Sequence, residues 1–491
     1  MAAVAESTDR AAALTVIAVA TAAGIVAWLL LLSTGWWGVS HDTANHFYVA
    51  WLMSRGAVIY RDVFEVNWPG TFLTFRALLA LGLDGDLGWR LVDLALVLAA
   101  AGLAASLLLP AGRLAAAIGA VMVAWSHLMV GSTNLGQRDH FIGVLVLAAV
   151  WAMRRGIGGA VAAGVALGVA ATIKPFAMVL PVAALVLVDG SWLRRIRIAL
   201  IVGAVMAVPL GATTLYLVAH DALGEFLRQQ LYAMRIYANT GRQTVIDASA
   251  ELALVRSPIL LLAVAGLMRF PPPLATVQRS GIVVLLYGAF HFVVQGKGWT
   301  YQAFPLLYGL SLMAGLGAVR MLESRWLALR FVPVVMLVVV ASASVATMTL
   351  QVRTPNPSQA PAMMRDLEAR LHAGDRVQPF DTYGSIDAMR RLGVLPATRF
   401  FYDFMFFGRP TAPAAIAQER QLRAEFLAAL ADAAPRAIIM TNQQWPDLRL
   451  GYDRLATWPE LQSFLAARYT LDVERETLRG WSYRIYLRRD A

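Results

Sequence analysis

The chain has 491 residues, 58% of them apolar and 15% charged, with a formal charge of +11 and a mean hydropathy of +0.59. Soluble domains average about 45–50% apolar, so the composition excludes an ordinary soluble enzyme and indicates a polytopic membrane protein. The lack of cysteine excludes disulfides, thiolate metal sites and cysteine nucleophiles. The positive charge lies in short loops between apolar runs, with no basic recognition helix for nucleic acid.

In chain order, the first apolar run, Ala11 to Leu32, is longer than a signal-peptide core and has no convincing cleavage site, so a retained helix is expected there. Membrane helices are expected over Leu14–Ser33, Leu91–Leu109, Leu114–Val130, Phe141–Met153, Gly158–Ile173, Phe176–Val188 and Ile198–Ala219. Leu252–Met268, Gly281–Gln295, Phe304–Val319 and Phe331–Leu350 complete a set of about eleven, each near the length of a bilayer crossing. Arginine marks alternate loops: Arg113, Arg154–Arg155, Arg194–Arg195–Arg197, Arg269 to Arg279 and Arg320 to Arg330. The anionic inner leaflet retains such loops, which predicts a cytoplasmic N-terminus and a C-terminus outside.

From Gln351 onward the apolar runs shorten and charge density rises. Strands are expected at Arg436–Met440, Tyr469–Val473 and Trp481–Leu487, and amphipathic helices at Met363–Leu371 and Arg420–Leu430. The fold class is therefore an all-α polytopic membrane domain, residues 1–350, followed by a soluble outer α/β domain, residues 351–491. Thr354-Pro-Asn-Pro-Ser358 carries the linker signal between them.

Polar residues gather at the predicted outer ends of the helices, where their cost in or near a bilayer makes them functional candidates. The first outer loop contains Ser40-His-Asp-Thr-Ala-Asn-His46, then Tyr60, Glu65, Asn67 and Trp68-Pro-Gly70. Asp42 and His46, four residues apart, share one face of a helix expected to lie in the membrane interface. Asn134-Leu-Gly-Gln-Arg-Asp-His140 and Gln295-Gly-Lys-Gly-Trp-Thr-Tyr301 occupy later outer junctions. Of 42 basic residues only Lys174 and Lys297 are lysine, and both fall at such junctions. A compact ammonium suits phosphate as a point charge, whereas the plainer reading has each lysine anchor a helix end.

These motifs, in this order and on one side, resemble the GT-C glycosyltransferases, nearest the protein O-mannosyltransferase and aminoarabinose-transferase branch. The resemblance rests on Asp42 after the first helix, Tyr60-Arg-Asp-Val-Phe-Glu-Val-Asn-Trp-Pro-Gly70, Gly88-Trp-Arg-Leu91 and Gln295 to Pro305. It spans roughly Leu14 to Leu350. Pro69 stands alone where the family has Pro-Pro, so a metal-ligand role is not carried over to Glu65. The resemblance implies transfer of one sugar from a polyprenyl-phosphate donor to an envelope acceptor at the outer face of a bacterial inner membrane.

That chemistry needs a carboxylate base, cations for the leaving phosphate and an apolar groove for the lipid. Asp42 is the candidate base, with helix capping as its alternative role. Asp139 is the second catalytic carboxylate, able to position the acceptor or to pair with Arg138 or Arg76. Lys297, Lys174 and Arg138 are candidate phosphate ligands, and His46, Glu65, Asn67, Gln137 and Tyr301 candidate substrate contacts. Asp93 reads as a satisfied polar group. No obligatory cofactor is expected, although Asp42, His46 and Glu65 could together offer a divalent ion oxygen and nitrogen ligands. A lipid-linked polymerase or ligase, with the basic loop His220 to Arg256 at its centre, and a secondary transporter are the competing readings. A transporter usually shows an internal repeat, and none is visible.

Overall fold

The computed structural model describes residues 2–238, 241–353, 358–380, 383–408, 410, 412–443, 451–477 and 480–489. The first helices are α1 Ala2–Leu32, α2 His41–Ser54, α3 Pro69–Ala80, α4 Asp86–Leu108, α5 Arg113–Val130, α6 Arg138–Met153 and α7 Gly156–Ile173. A 3-10 stretch, Pro175–Ala183, runs into α8 Ala184–Leu187. Then come α9 Trp192–Ala219, α10 Leu223–Tyr232, α11 Val245–Gly266, α12 Pro272–Gln295, α13 Phe304–Leu322 and α14 Leu327–Arg353. The C-terminal segment alternates α15 Ala360–Glu368, β1 Arg376–Pro379, α16 Ser385–Leu392, β2 Leu395–Pro396, α17 Pro413–Ala433 and β3 Ala437–Thr441. It ends with α18 Pro459–Arg468, β4 Tyr469–Glu476 and β5 Ser482–Arg488. The expected linker, 354–358, lies outside the described residues except for Ser358.

The chain divides into two compact units. One comprises Met1–Val39, Gly85–Thr213 and Gln243–Pro355; the other comprises Ser40–Asp84, Thr214–Arg242 and Asn356–Ala491. Residues 40–84, expected with the membrane-spanning part, thus belong to the same unit as the C-terminal segment.

In the first unit, eight helices among the described residues are long and apolar enough to cross a membrane, drawn from α1, α4, α5, α7, α9, α12, α13 and α14. This is a multi-pass integral membrane protein. Three of the eleven expected crossings take another form. α6 has 16 residues, about 24 Å at 1.5 Å per residue, and the apolar part of α11 is the short Ser257–Gly266. Phe176–Val188 is mostly 3-10, because Pro175 and Pro181 withhold backbone donors and break the α-helical ladder. α13 packs against α5, α11 and α12 at the centre of the unit. A Cβ on Gly309 of α13 would sit 2.4 Å from Leu285 Cα, and one on Gly288 of α12 would sit 2.3 Å from Leu306 Cα. Glycine lets these two backbones touch, the usual basis of helix association where lipid competes for apolar surface. α9 buries little of itself and leaves Leu200, Val208 and Leu215 exposed, as a lipid-facing helix should.

The second unit is built on a five-stranded mixed sheet of order β2-β1-β3-β5-β4. β1 runs parallel to β2 and β3, whereas β5 is antiparallel to both β3 and β4. The three expected strands and two expected helices are present, and β1, β2, α16 and α18 join them. α2 is covered by protein over most of its length: Thr43 through Ala50 are all buried, and it packs on α3 and α16. Tyr48 Oη donates to Val394 O at 2.7 Å, tying α2 to the β2 approach.

Candidate active site

The polar centre of the first unit forms at the start of α6. Lys174 ends α7, and the proline that follows holds it extended (φ −146°, ψ 132°). Its Nζ donates to Asp139 Oδ1 at 2.7 Å, Asp139 Oδ2 at 2.8 Å and Gln295 Oε1 at 2.5 Å. His291 Nε2 lies 2.6 Å from Asp139 Oδ1, and Gln295 Nε2 donates to the same oxygen at 3.3 Å. Asp139 and His291 are fully buried, while the Lys174 side chain keeps 12% of its surface. His291 and Gln295 are four apart on α12, so one helical face supplies both. Lys174 is thus an ion-pair partner of Asp139. The ammonium is partly accessible and held by the Asp139 carboxylate and the Gln295 side-chain oxygen.

A second buried cluster surrounds Asp93. His127 Nε2 lies 2.8 Å from Asp93 Oδ2, His140 Nδ1 lies 3.5 Å from Oδ1, and Arg90 pairs with Oδ2. Asp93, His127 and His140 could hold a metal ion, since one ligand atom from each falls within 4.8 Å of the others. The metal-capable group that the described residues bring together is thus this one, not Asp42 with His46 and Glu65.

In the second unit, Ser40 is the N-cap of α2, its hydroxyl accepting from Thr43 N at 3.4 Å. The capping role considered for Asp42 falls to Ser40. Asp42 occupies the first turn, partly exposed, with His41 Nε2 3.4 Å from its Oδ1; His41 stacks on Tyr383. His46, one turn on, is buried against the rings of Phe72 and Phe75. Glu65 is buried and saturated. Its Oε1 accepts from Val66 N, Asn67 N and Asn67 Nδ2 at 2.8, 3.1 and 2.7 Å. Its Oε2 accepts from Tyr402 Oη at 2.6 Å and Asn45 Nδ2 at 3.2 Å. Glu65 and Asn67 therefore form a brace joining α2, the first loop and the C-terminal segment.

Residues 85–342, more than half of the chain, match the sequence profile of glycosyltransferase family 87. The chain belongs to glycosyltransferase family 87. No curated protein sequence matches it. Its fold is similar to ArnT from Cupriavidus metallidurans bound to undecaprenyl phosphate, with TM-score 0.60, 13% identity, and 96% of this chain and 97% of ArnT covered. The apo form of the same ArnT gives TM-score 0.57 at 13% identity over 97% and 98% of the two chains. The apo oligosaccharyltransferase of Archaeoglobus fulgidus gives TM-score 0.50 at 11% identity over 87% of this chain and 70% of that one. The GT-C resemblance read from the motifs holds, and membership of this family makes the chain an enzyme and not a transporter.

The remaining candidates of this family-87 enzyme are placed as follows. Gln137 and Arg138 begin α6 and are buried. Lys297 is buried between Gly296 and Gly298, both at positive φ, and Tyr301 is buried against Trp299. His291, His127, His140 and Tyr402 also join these clusters. Their signal was available for the histidines, as imidazoles inside apolar helices; Tyr402 carried none.

Proposed function

We propose that this family-87 enzyme takes a single sugar from a polyprenyl-phosphate carrier and transfers it to a hydroxyl of an envelope acceptor at the outer face of a bacterial inner membrane. The observation that carries the donor class is Lys174, an ammonium held by Asp139 and Gln295 at a helix end with its charge still accessible. Its three N–H groups are engaged by Asp139 and Gln295, so it offers a lipid phosphate its positive charge, and a hydrogen bond only in exchange for one of these. The fold shared with ArnT bound to undecaprenyl phosphate supports the same class. Lys297 and Arg138 are the further cations assigned to the phosphate, with Gln137 and Tyr301 as hydrogen-bonding groups.

In the reaction, the acceptor oxygen forms a bond to the anomeric carbon as the bond from that carbon to the phosphate oxygen breaks. The acceptor proton passes to a carboxylate, and the lipid phosphate departs with the bonding pair. Asp42, partly exposed at the start of a rigid helix, is the base we assign. Asp139 has a different task, holding Lys174 in position. Glu65 and Asn67 support the first loop, and His46 packs on Phe72 and Phe75.

The test is incubation of the purified protein in nanodiscs with radiolabelled polyprenyl-phosphate sugars and fractionated envelope. Label should move from the lipid to one acceptor fraction and be lost in Lys174→Ala. Transfer from a nucleotide sugar, or none from any polyprenyl-phosphate sugar, would overturn the donor assignment.

A further inference from the structure

Asp93 has every reason to be absent from a membrane helix, where a buried carboxylate is costly unless it is paired. Its surroundings show what it holds. Oδ1 accepts the Gly136 amide at 3.1 Å, and Oδ2 faces His127 and Arg90. Arg90 also donates to Leu31 O at 3.0 Å and to the Thr34 hydroxyl. One turn before Asp93 on the same helix face, Trp89 covers Gly136: a Cβ there would lie 2.0 Å from the indole ring, and its φ is +61°. Only glycine suits this combination of positive φ and contact. α4 therefore grips the backbone at Gly136 through an amide and a ring, immediately before Gln137, Arg138 and Asp139.

We infer that Asp93 is a positioning residue: through the Gly136 amide it sets the path of the chain into Arg138 and Asp139, and so the placement of the Lys174 ammonium. The inference rests on the proposed role of these cations at the donor phosphate. It also accounts for the Gly88-Trp-Arg-Leu91 motif, in which Trp89 covers the glycine and Arg90 neutralises the carboxylate. Asp93, His127 and His140 have the spacing of a metal site, but both carboxylate oxygens are engaged, one by a cation and one by an amide. A divalent ion beside Arg90 would leave uncompensated positive charge in an apolar surrounding.

The test uses the full chain in nanodiscs and the paired variant Arg90→Met/Asp93→Leu, which removes both charges together so that neither is left unpaired. Two readouts are taken: amide hydrogen exchange, and binding of undecaprenyl phosphate as the probe. Exchange should rise locally over residues 131–140 with the remaining helices unchanged. Binding should weaken about tenfold or more, the scale of one charge-assisted contact. In a Lys174→Ala background the paired variant should weaken binding little further, whereas a purely structural defect would add its full effect. Unchanged exchange over 131–140 overturns the positioning role whether or not the probe binds. Failure of the wild type to bind the probe, with exchange raised as expected, counts against the proposed donor alone. A stoichiometric metal that copurifies with the wild type and is lost in His127→Gln would replace the strut with a metal site.

Discussion

Lys174 Nζ stands 2.7 Å from one carboxylate oxygen of Asp139 and 2.8 Å from the other. The pair joins the end of α7 to the first turn of α6, and Asp139 is fully buried. Removing one partner of such a pair costs about 3–5 kcal/mol because the other charge is left uncompensated. Asp139→Leu should therefore lower the melting temperature sharply. Asp139→Leu with Lys174→Met should recover most of that stability while leaving transfer undetectable. Equal stability of the single and double variants, measured by thermal melting in detergent, would show that the pair is not coupled.

Lys297→Ala should weaken binding of a polyprenyl phosphate more than Lys297→Arg does. Loss of one hydrogen bond from a charged donor costs on the order of 1.5–3 kcal/mol. Direct titration of undecaprenyl phosphate into nanodiscs decides it, and equal affinity in wild type and Lys297→Ala removes this residue from the phosphate site.

Asp42→Asn should fold normally yet lose at least ~100-fold in transfer, the lower end of what a general base contributes. Because Ser40 and not Asp42 caps α2, the substitution does not disturb the helix start. Ser40→Ala is the matching control, expected to cost about 1 kcal/mol of stability with transfer retained. A folded Asp42→Asn protein with near-normal turnover would move the base to another carboxylate.

The second unit should lose stability in acid through Asp366. Burial pushes its carboxyl up, but hydrogen bonds from Arg475 and Tyr483 and the charges of Arg475 and Arg370 outweigh this and hold it below the usual value. A carboxyl lowered on folding stabilises the fold above its ordinary unfolded pKa, and that contribution disappears as pH falls through the lowered value. Asp366→Asn should thus melt earlier than wild type at pH 7, and the gap should close as the pH drops below the carboxylate range. A gap that stays constant with pH would show that the Asp366 charge is not its source.

Single cysteines introduced into this cysteine-free chain test orientation. Cysteine at Arg154, Arg195 or Arg325 should react only after the cytoplasmic side is opened, and cysteine at His41, Arg242 or Leu471 should react from outside. The odd number of crossings behind this expectation requires α6, the 3-10 stretch with α8, and α11 to cross along with the eight longer helices. The reverse labelling pattern would invert the topology.

Hydropathy by itself located the helices closely, because each long apolar run must satisfy its own backbone within one segment. The expected span Leu114–Val130 and the observed Arg113–Val130 differ by a single residue. The same logic failed at Phe176–Val188, where two prolines outweigh a run of suitable composition. The alternating patterns behind β3, β4 and β5 were legible. β1 and β2, four and two residues long, are too short to show a period and exist because parallel neighbours complete their ladders.

Composition, periodicity and motif order determined the membrane class, the glycosyltransferase resemblance and which polar residues deserved attention. Only the tertiary structure decided how those residues are used. Asp139 meets Lys174 from 35 positions away and His291 from 152, and Glu65 meets Tyr402 from 337. Apolar character is a sum over neighbours in the chain and can be read locally. The pairing of a buried charge is set by whichever distant groups the packed helices bring within hydrogen-bond reach, where leaving it unpaired would cost several kcal/mol.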